Sequence, residues 1–271
     1  MRIIFANIVA IYRRELQSYL LSPLAYGVAG VFWLLAGFFF VSLLFGSEGL
    51  IQQAATTDLQ AAQLGIPAPA VDLPARFLQF FLSVLGSLSL FILPMLSMGL
   101  YAEERKRGTL ELLATSPVTN WSVALGKWLA VVTFFLTLVL PLLIYEAIVL
   151  SATNPPVNWT VILVGHLGLV LLAAAVLSLG MFISSLTDST LLAAVFTFAL
   201  ILFLWLIDLT GKTIGGPIGK ALTHLSLLNH YNNLTQGILD TSSLVLFASY
   251  VVLGVFLTAQ SIDLFRFQRS S

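Results

Sequence analysis

Six stretches of this chain are apolar almost without interruption: residues 24–46, 77–100, 123–150, 160–184, 190–208 and 243–263. Crossing about 30 Å of hydrocarbon takes roughly 20 mostly apolar residues, and each stretch has about that length. Lipid offers no partner to a free peptide group, so an apolar run inside it has to close its own hydrogen bonds. Runs this long do so as helices. The pattern predicts an all-α membrane protein of six transmembrane helices. One transmembrane domain over 1–271 is expected, because no polar stretch is long enough to bury a second core.

Composition supports this and narrows the chemistry. Only 9% of the residues are charged, against about 25% in soluble domains. Net charge is zero, which gives no basic surface for nucleic acid. Cysteine is absent, which removes disulfides, thiolate metal ligands and cysteine nucleophiles. The three histidines, His166, His224 and His230, are too scattered to predict a metal site.

Lys and Arg set the expected orientation. With the N-terminus inside, Arg2, Arg13, Arg14, Arg105, Lys106, Arg107, Lys127, Arg266 and Arg269 lie on the cytoplasmic side. Only Arg76, Lys212 and Lys220 lie outside, and an even number of spans puts both termini in the cytoplasm. Before the first span, Ile4, Ile8, Ile11 and Leu16 recur at helical spacing beside Arg13, Arg14 and Glu15. That predicts an amphipathic helix over about 2–20 lying in the membrane interface. Residues 47–76 read as a long polar outer loop. Residues 209–242 are too apolar for a solvated linker and read as short re-entrant or interfacial helices. Trp33 reads as ordinary packing, and Asp208 and Asp263 as side chains reaching out from span ends.

The segment between spans two and three holds the densest charge. Glu103, Glu104, Arg105, Lys106, Arg107 and Glu111 are six of the 24 charged residues of the chain. A topology anchor needs the cations alone. It does not account for paired glutamates, nor for the apolar positions beyond them. Gly108 weakens a helix, Thr109 can cap a new one, and Pro117 ends it. The expectation is a short helix offering Leu110, Leu112 and Leu113 as a docking surface for a protein. Deeper in the membrane, Glu146 beside Tyr145 marks a candidate translocation path, since a buried carboxylate costs on the order of 3 kcal/mol there. A position close enough to the outer interface to reach water is the other reading of Glu146. His166 reads as a satisfied packing residue.

Enzyme chemistry finds little footing. A phosphate-binding loop needs G-x-x-x-x-G-K-[ST]. Gly211-Lys212-Thr213 supplies its tail, but Leu206 stands where the first glycine belongs. Glu103-Glu104 with Arg107 approaches the motif of glutamate-type intramembrane proteases one residue short, with no histidine placed to help. Working alone as a secondary transporter or channel is the alternative reading, carried by Glu146 and by kinks at Pro94 and Pro141.

Pro94-Met95-Leu96-Ser97-Met98, Ala102-Glu103-Glu104, Gly108-Thr109-Leu110-Glu111-Leu112-Leu113, Pro117 and Gly126-Lys127 together resemble ABC-2 type transporter permeases. The stretch His230 to Asp240 is most similar to the gliding-motility-associated subgroup. The resemblance implies a permease subunit, an exporter without its own ATPase motif, in the plasma (inner) membrane. Its partners would be two ABC ATPase subunits, a second permease chain (the same or different) and lipid. ATP and Mg would sit on the ATPases, with no cofactor on this chain. Residues 109–116 would be the coupling helix that enters a cleft on the ATPase. Glu103, Glu104, Arg105 and Glu111 would orient and transmit, and Gly108 and Pro117 would shape it. The turn containing Ser185 and Asp188 would be a second cytoplasmic contact.

Overall fold

The computed structural model describes residues 2–67, 72–110, 118–153 and 157–268, with side chains through Leu264. Among these residues there are eleven helices and no strand. They are α1 (Arg2–Leu21), α2 (Pro23–Phe45), α3 (Leu50–Leu64), α4 (Leu73–Ser97), α5 (Gly99–Lys106), α6 (Asn120–Ser151), α7 (Trp159–Leu186), α8 (Thr190–Ile214), α9 (Gly216–Leu225), α10 (Leu227–Thr235) and α11 (Thr241–Gln268). Six segments are long and apolar enough to cross a membrane, carried by α2, α4, α6, α7, α8 and α11.

Each of the first five spans begins where a short polar side chain takes up a free amide of the first turn. Ser22, Asp72, Thr119, Asn158 and Ser189 accept from the backbone N–H of Ala25, Ala75, Ser122, Thr160 and Leu192. Pro23 and Pro74 stand in the first turn, where a missing N–H costs nothing. The spans therefore start near the expected positions. α8 runs on to Ile214, past the expected end at 208.

α7 is the central helix. In its most apolar window 67% of the residues are buried, against 28% for α2 and 17% for α8. Small residues let neighbours reach its backbone, as is common between membrane helices. A Cβ at Gly165 would stand 2.3 Å from Leu82 of α4, and one at Gly168 would stand 2.7 Å from Leu234 of α10. From α11, Gly254 lies against the Ser178 backbone in the same way.

The bundle has two unlike ends. One carries α1, α5, the starts of α6 and α8 and the final turns of α7 and α11. The other, the far end, carries α3, α9 and α10. The polar stretch expected as an outer loop contains α3, fifteen residues long. Its Ala, Gln and Leu are good helix formers, and the first proline of the stretch, Pro67, lies beyond it. The 209–242 stretch forms the short helices expected of it. Two tethers hold them: Asp208 accepts from Ser226 Oγ at 2.6 Å and pairs with Lys212, and the Tyr231 hydroxyl donates to the Leu82 carbonyl. Asp208 is thus buried, not reaching for solvent. Asp263 likewise accepts from Asn120, joining α11 to α6. Trp33 does more than fill space, since its ring N–H donates to Leu138 O at 2.9 Å.

Candidate functional site

The charged segment grows from a deliberate break in the second span. α4 stops at Ser97 and α5 restarts at Gly99, following Pro94. Ser184 of α7 stitches the break. Its hydroxyl oxygen accepts from the amides of Tyr101 and Ala102 at 3.1 and 3.0 Å, and its own proton goes to Met98 O. Arg105 then donates to Ser185 O at 3.1 Å, while the Ser185 hydroxyl bonds Ser261 of α11 at 2.6 Å. α5 is thereby fixed to the last turns of α7 and α11.

α5 ends at Gly108, which has φ +70. Gly108 N donates to Arg105 O, and Thr109 N donates to Glu104 O. This crossed pair is the Schellman closure, and its left-handed position favours glycine. The Thr109 hydroxyl adds a second bond to Glu104 O at 3.2 Å, and the chain is helical again at Leu110; the first-turn amides that Thr109 is expected to cap lie outside the described residues. Leu110 is half-buried and packs against the core. Glu111, Leu112, Leu113 and Pro117 lie outside the described residues.

Lys127 forms the hub of this end. It sits two turns into α6 with its side chain 3% exposed. Its ammonium lies 3.0 Å from Glu15 of α1 and 3.0 Å from Glu104 of α5. Arg14 reaches the same Glu104 oxygen at 3.9 Å, and the Tyr101 ring lies under the ammonium at 5.1 Å. Two cations and two carboxylates cancel, which suits a partly buried site. Glu104 Oε2 has no hydrogen-bond partner among the described residues. Around this hub α1 rides close on α6. A Cβ at Gly126 would stand 2.8 Å from Ile11. Tyr19 stacks on Phe134 at 5.2 Å and donates to Leu96 O at 2.6 Å. Burial first, then Glu15 and Glu103, hold the Tyr19 phenol well above its usual range.

The residues expected at this end are therefore partly assembled. Glu104 and Glu15 meet on Lys127, while Arg105 holds the Ser185 carbonyl. Glu103 turns outward and pairs with exposed Arg107. Arg13 and Arg14 are exposed on α1 and Asp188 on the α7–α8 turn. Ser185 is buried, so its contribution is internal. Lys127 was visible as a lone cation within an apolar run, a signal of an ion partner. Nothing in the sequence marked Ser184 or Ser261. Beside α5 an open cleft of about 610 Å³ is lined by Glu15, Tyr19, Leu24, Met98, Glu103 and Lys106 among others.

Glu146 and Tyr145 do not share a face. Tyr145 is exposed and packs on Phe40, with ring centroids 4.4 Å apart. Glu146 is fully buried against α7, with His166 Nε2 3.5 Å from its Oε1. Among the described residues no three His, Asp or Glu side chains gather as a metal set would.

No curated protein matches the chain. A family model, that of the ABC-2 family transporter protein, matches residues 48–259, well over half of its length. With its six membrane-crossing helices, the chain belongs to the ABC-2 transporter family, as a multi-pass membrane subunit of an ABC transporter.

Proposed function

We propose that this chain is the permease half of an ABC exporter of the gliding-motility-associated kind, driven by separate ATPase subunits. It rests in the plasma (inner) membrane with both termini in the cytoplasm. The observation that carries the reading is the Lys127 hub. A segment that passes force from a soluble motor into a bundle needs a stiff root, and here α1, α5 and α6 meet on one buried cation. Residues 109–116 enter a cleft on the ATPase, with Leu110, Leu112, Leu113 and Glu111 as the contact, shaped by Gly108 and Pro117. Asp188 makes a second contact, supported from within by Ser185. The interface helix, with Arg13 toward lipid headgroups, Arg14 toward Glu104 and Glu15 toward Lys127, braces the assembly. Two permease chains, alike or different, pair with two ATPases that hold ATP and Mg. ATP-driven closure of the ATPases shifts the paired bundles between inward and outward states. Tyr145, on the exposed side of α6, is better placed than Glu146 for a translocation path.

Replacing Leu112 and Leu113 with Asp tests this. Copurification with the ATPase and its stimulation are expected to be lost while membrane insertion persists. Unchanged copurification and stimulation would refute the docking.

A further inference from the structure

At the far end, three polar atoms have no hydrogen-bond partner among the described residues: Glu146 Oε1, Glu146 Oε2 and His166 Nε2. Glu146 is 0% exposed and His166 4%. An unpaired buried carboxylate is among the most expensive things a membrane helix can hold, so what neutralises it is a question of chemistry. His166 Nδ1 lies 2.9 Å from the carbonyl of Ile162. A carbonyl only accepts, so Nδ1 carries a proton. Nε2 is then either a bare lone pair or the second N–H of an imidazolium. It faces Glu146 Oε1 at 3.5 Å. With no proton between them, a lone pair and a carboxylate confront each other in a dry site. With one proton, on either atom, the contact becomes a hydrogen bond and the pair is neutral overall.

We propose that Glu146 and His166 form a buried binding site for a single proton, which latches α6 to α7 at the end of the bundle remote from Lys127. Taking up the proton forms one O–H or N–H bond, and releasing it to water changes the charge of the site from zero to minus one. Water is near. Glu146 lies five residues before the end of α6 and His166 seven after the start of α7, about 8–11 Å along the axes at 1.5 Å per residue.

The surroundings make the latch consequential. α4 meets α7 with Leu82 against Gly165, and α10 meets it with Leu234 against Gly168. The Tyr231 ring fills the notch at Gly86. None of these contacts leaves room for a hydrated anion. Between Phe77 and Leu93, α4 has no ionisable residue, and α2 has only Tyr26, near its opposite end. From α10, Tyr231 faces the site, and burial, then the Glu146 carboxylate, hold its phenol above the usual range. His230 turns away, with its two ring nitrogens on Ser243 Oγ and the His224 carbonyl. From α11, Tyr250 donates to Leu225 O. Among the groups that face the site, the proton on the Glu146–His166 pair is thus the one left to exchange as pH changes. Its loss loosens the α6–α7–α10 junction.

The chain has only three histidines, so imidazole-labelled protein in lipid nanodiscs gives three residues to follow by nitrogen NMR. His166→Asn assigns the signal. Nδ1 of His166 is expected to stay protonated across the pH range, while Nε2 shifts in one step as pH rises. In Glu146→Gln, whose amide can donate to Nε2 but cannot ionise, that step moves or disappears. The unfolding temperature of the wild type falls through the same step, and that of Glu146→Gln does not. An Nε2 titration untouched by Glu146→Gln would overturn the proposal, as would an unprotonated Nδ1. If Glu146→Gln fails to fold, the wild-type spectrum still decides through Nδ1, and Glu146→Asp, with its carboxylate drawn back by one methylene, must shift the step. These readouts need no ATPase, so they stand or fall separately from the exporter reading.

Discussion

Lys127 shows what a single residue does in this chain and how far a sequence can announce it. Its position inside an apolar run demands a counter-charge, because an unpaired ammonium does not stay at 3% exposure. The identity of its partners was hidden, since Glu15 and Glu104 are 112 and 23 residues away. Neutralising it as Lys127→Met would strand two carboxylates, and breaking such a pair costs about 3–5 kcal/mol. The expected outcome is a large drop in thermal unfolding temperature in nanodiscs. Adding Glu15→Gln and Glu104→Gln to the same chain should recover most of it, because the one charge then left alone, Arg14, is exposed to water. A triple variant as unstable as the single one would contradict the hub. Glu146 and His166 follow the same logic. Each was legible as a polar group in the membrane, but their meeting depends on how α6 and α7 face each other.

At the scale of elements, α1 lies along α6 with no residue fully buried, held by contacts that include Ile11 on Gly126, Arg14 on Glu104, Glu15 on Lys127, and Tyr19. Tyr19 makes that hold depend on pH. Its folded phenol loses its proton at higher pH than the unfolded one. Its stabilisation is therefore complete below the unfolded value near 10 and declines as pH rises from there toward the folded value. Amide hydrogen exchange of α1, compared with that of α7, should show α1 loosening in alkali. Tyr19→Phe gives up one hydrogen bond, about 1 kcal/mol, and should flatten the alkaline response. An equal pH response in Tyr19→Phe would assign the effect elsewhere. The spans themselves were readable because length and apolarity fix them directly. α3 was not readable from polarity, because a polar stretch reads as a loop even where its Ala and Gln favour helix. The tethering of α9 and α10 was not readable, since it depends on Asp208 meeting Ser226 and Tyr231 meeting Leu82 across the fold.

As a whole, the molecule is a bundle around α7 with a charged end and a far end built on different principles. Ion pairs and serine bridges hold the charged end, and close glycine contacts with one buried acid–base pair hold the other. The charged end fixes α5, which leads into the 109–116 segment, against α1, α6 and α7 at once. The central claim is that this segment engages an ATPase. A photo-crosslinking residue at Leu112, followed by mass spectrometry of the adduct from native membranes, reports what touches it. The account predicts an adduct with an ABC ATPase chain, lost when ATPase binding is blocked by Leu113→Asp. Adducts confined to lipid or to this chain itself would contradict it.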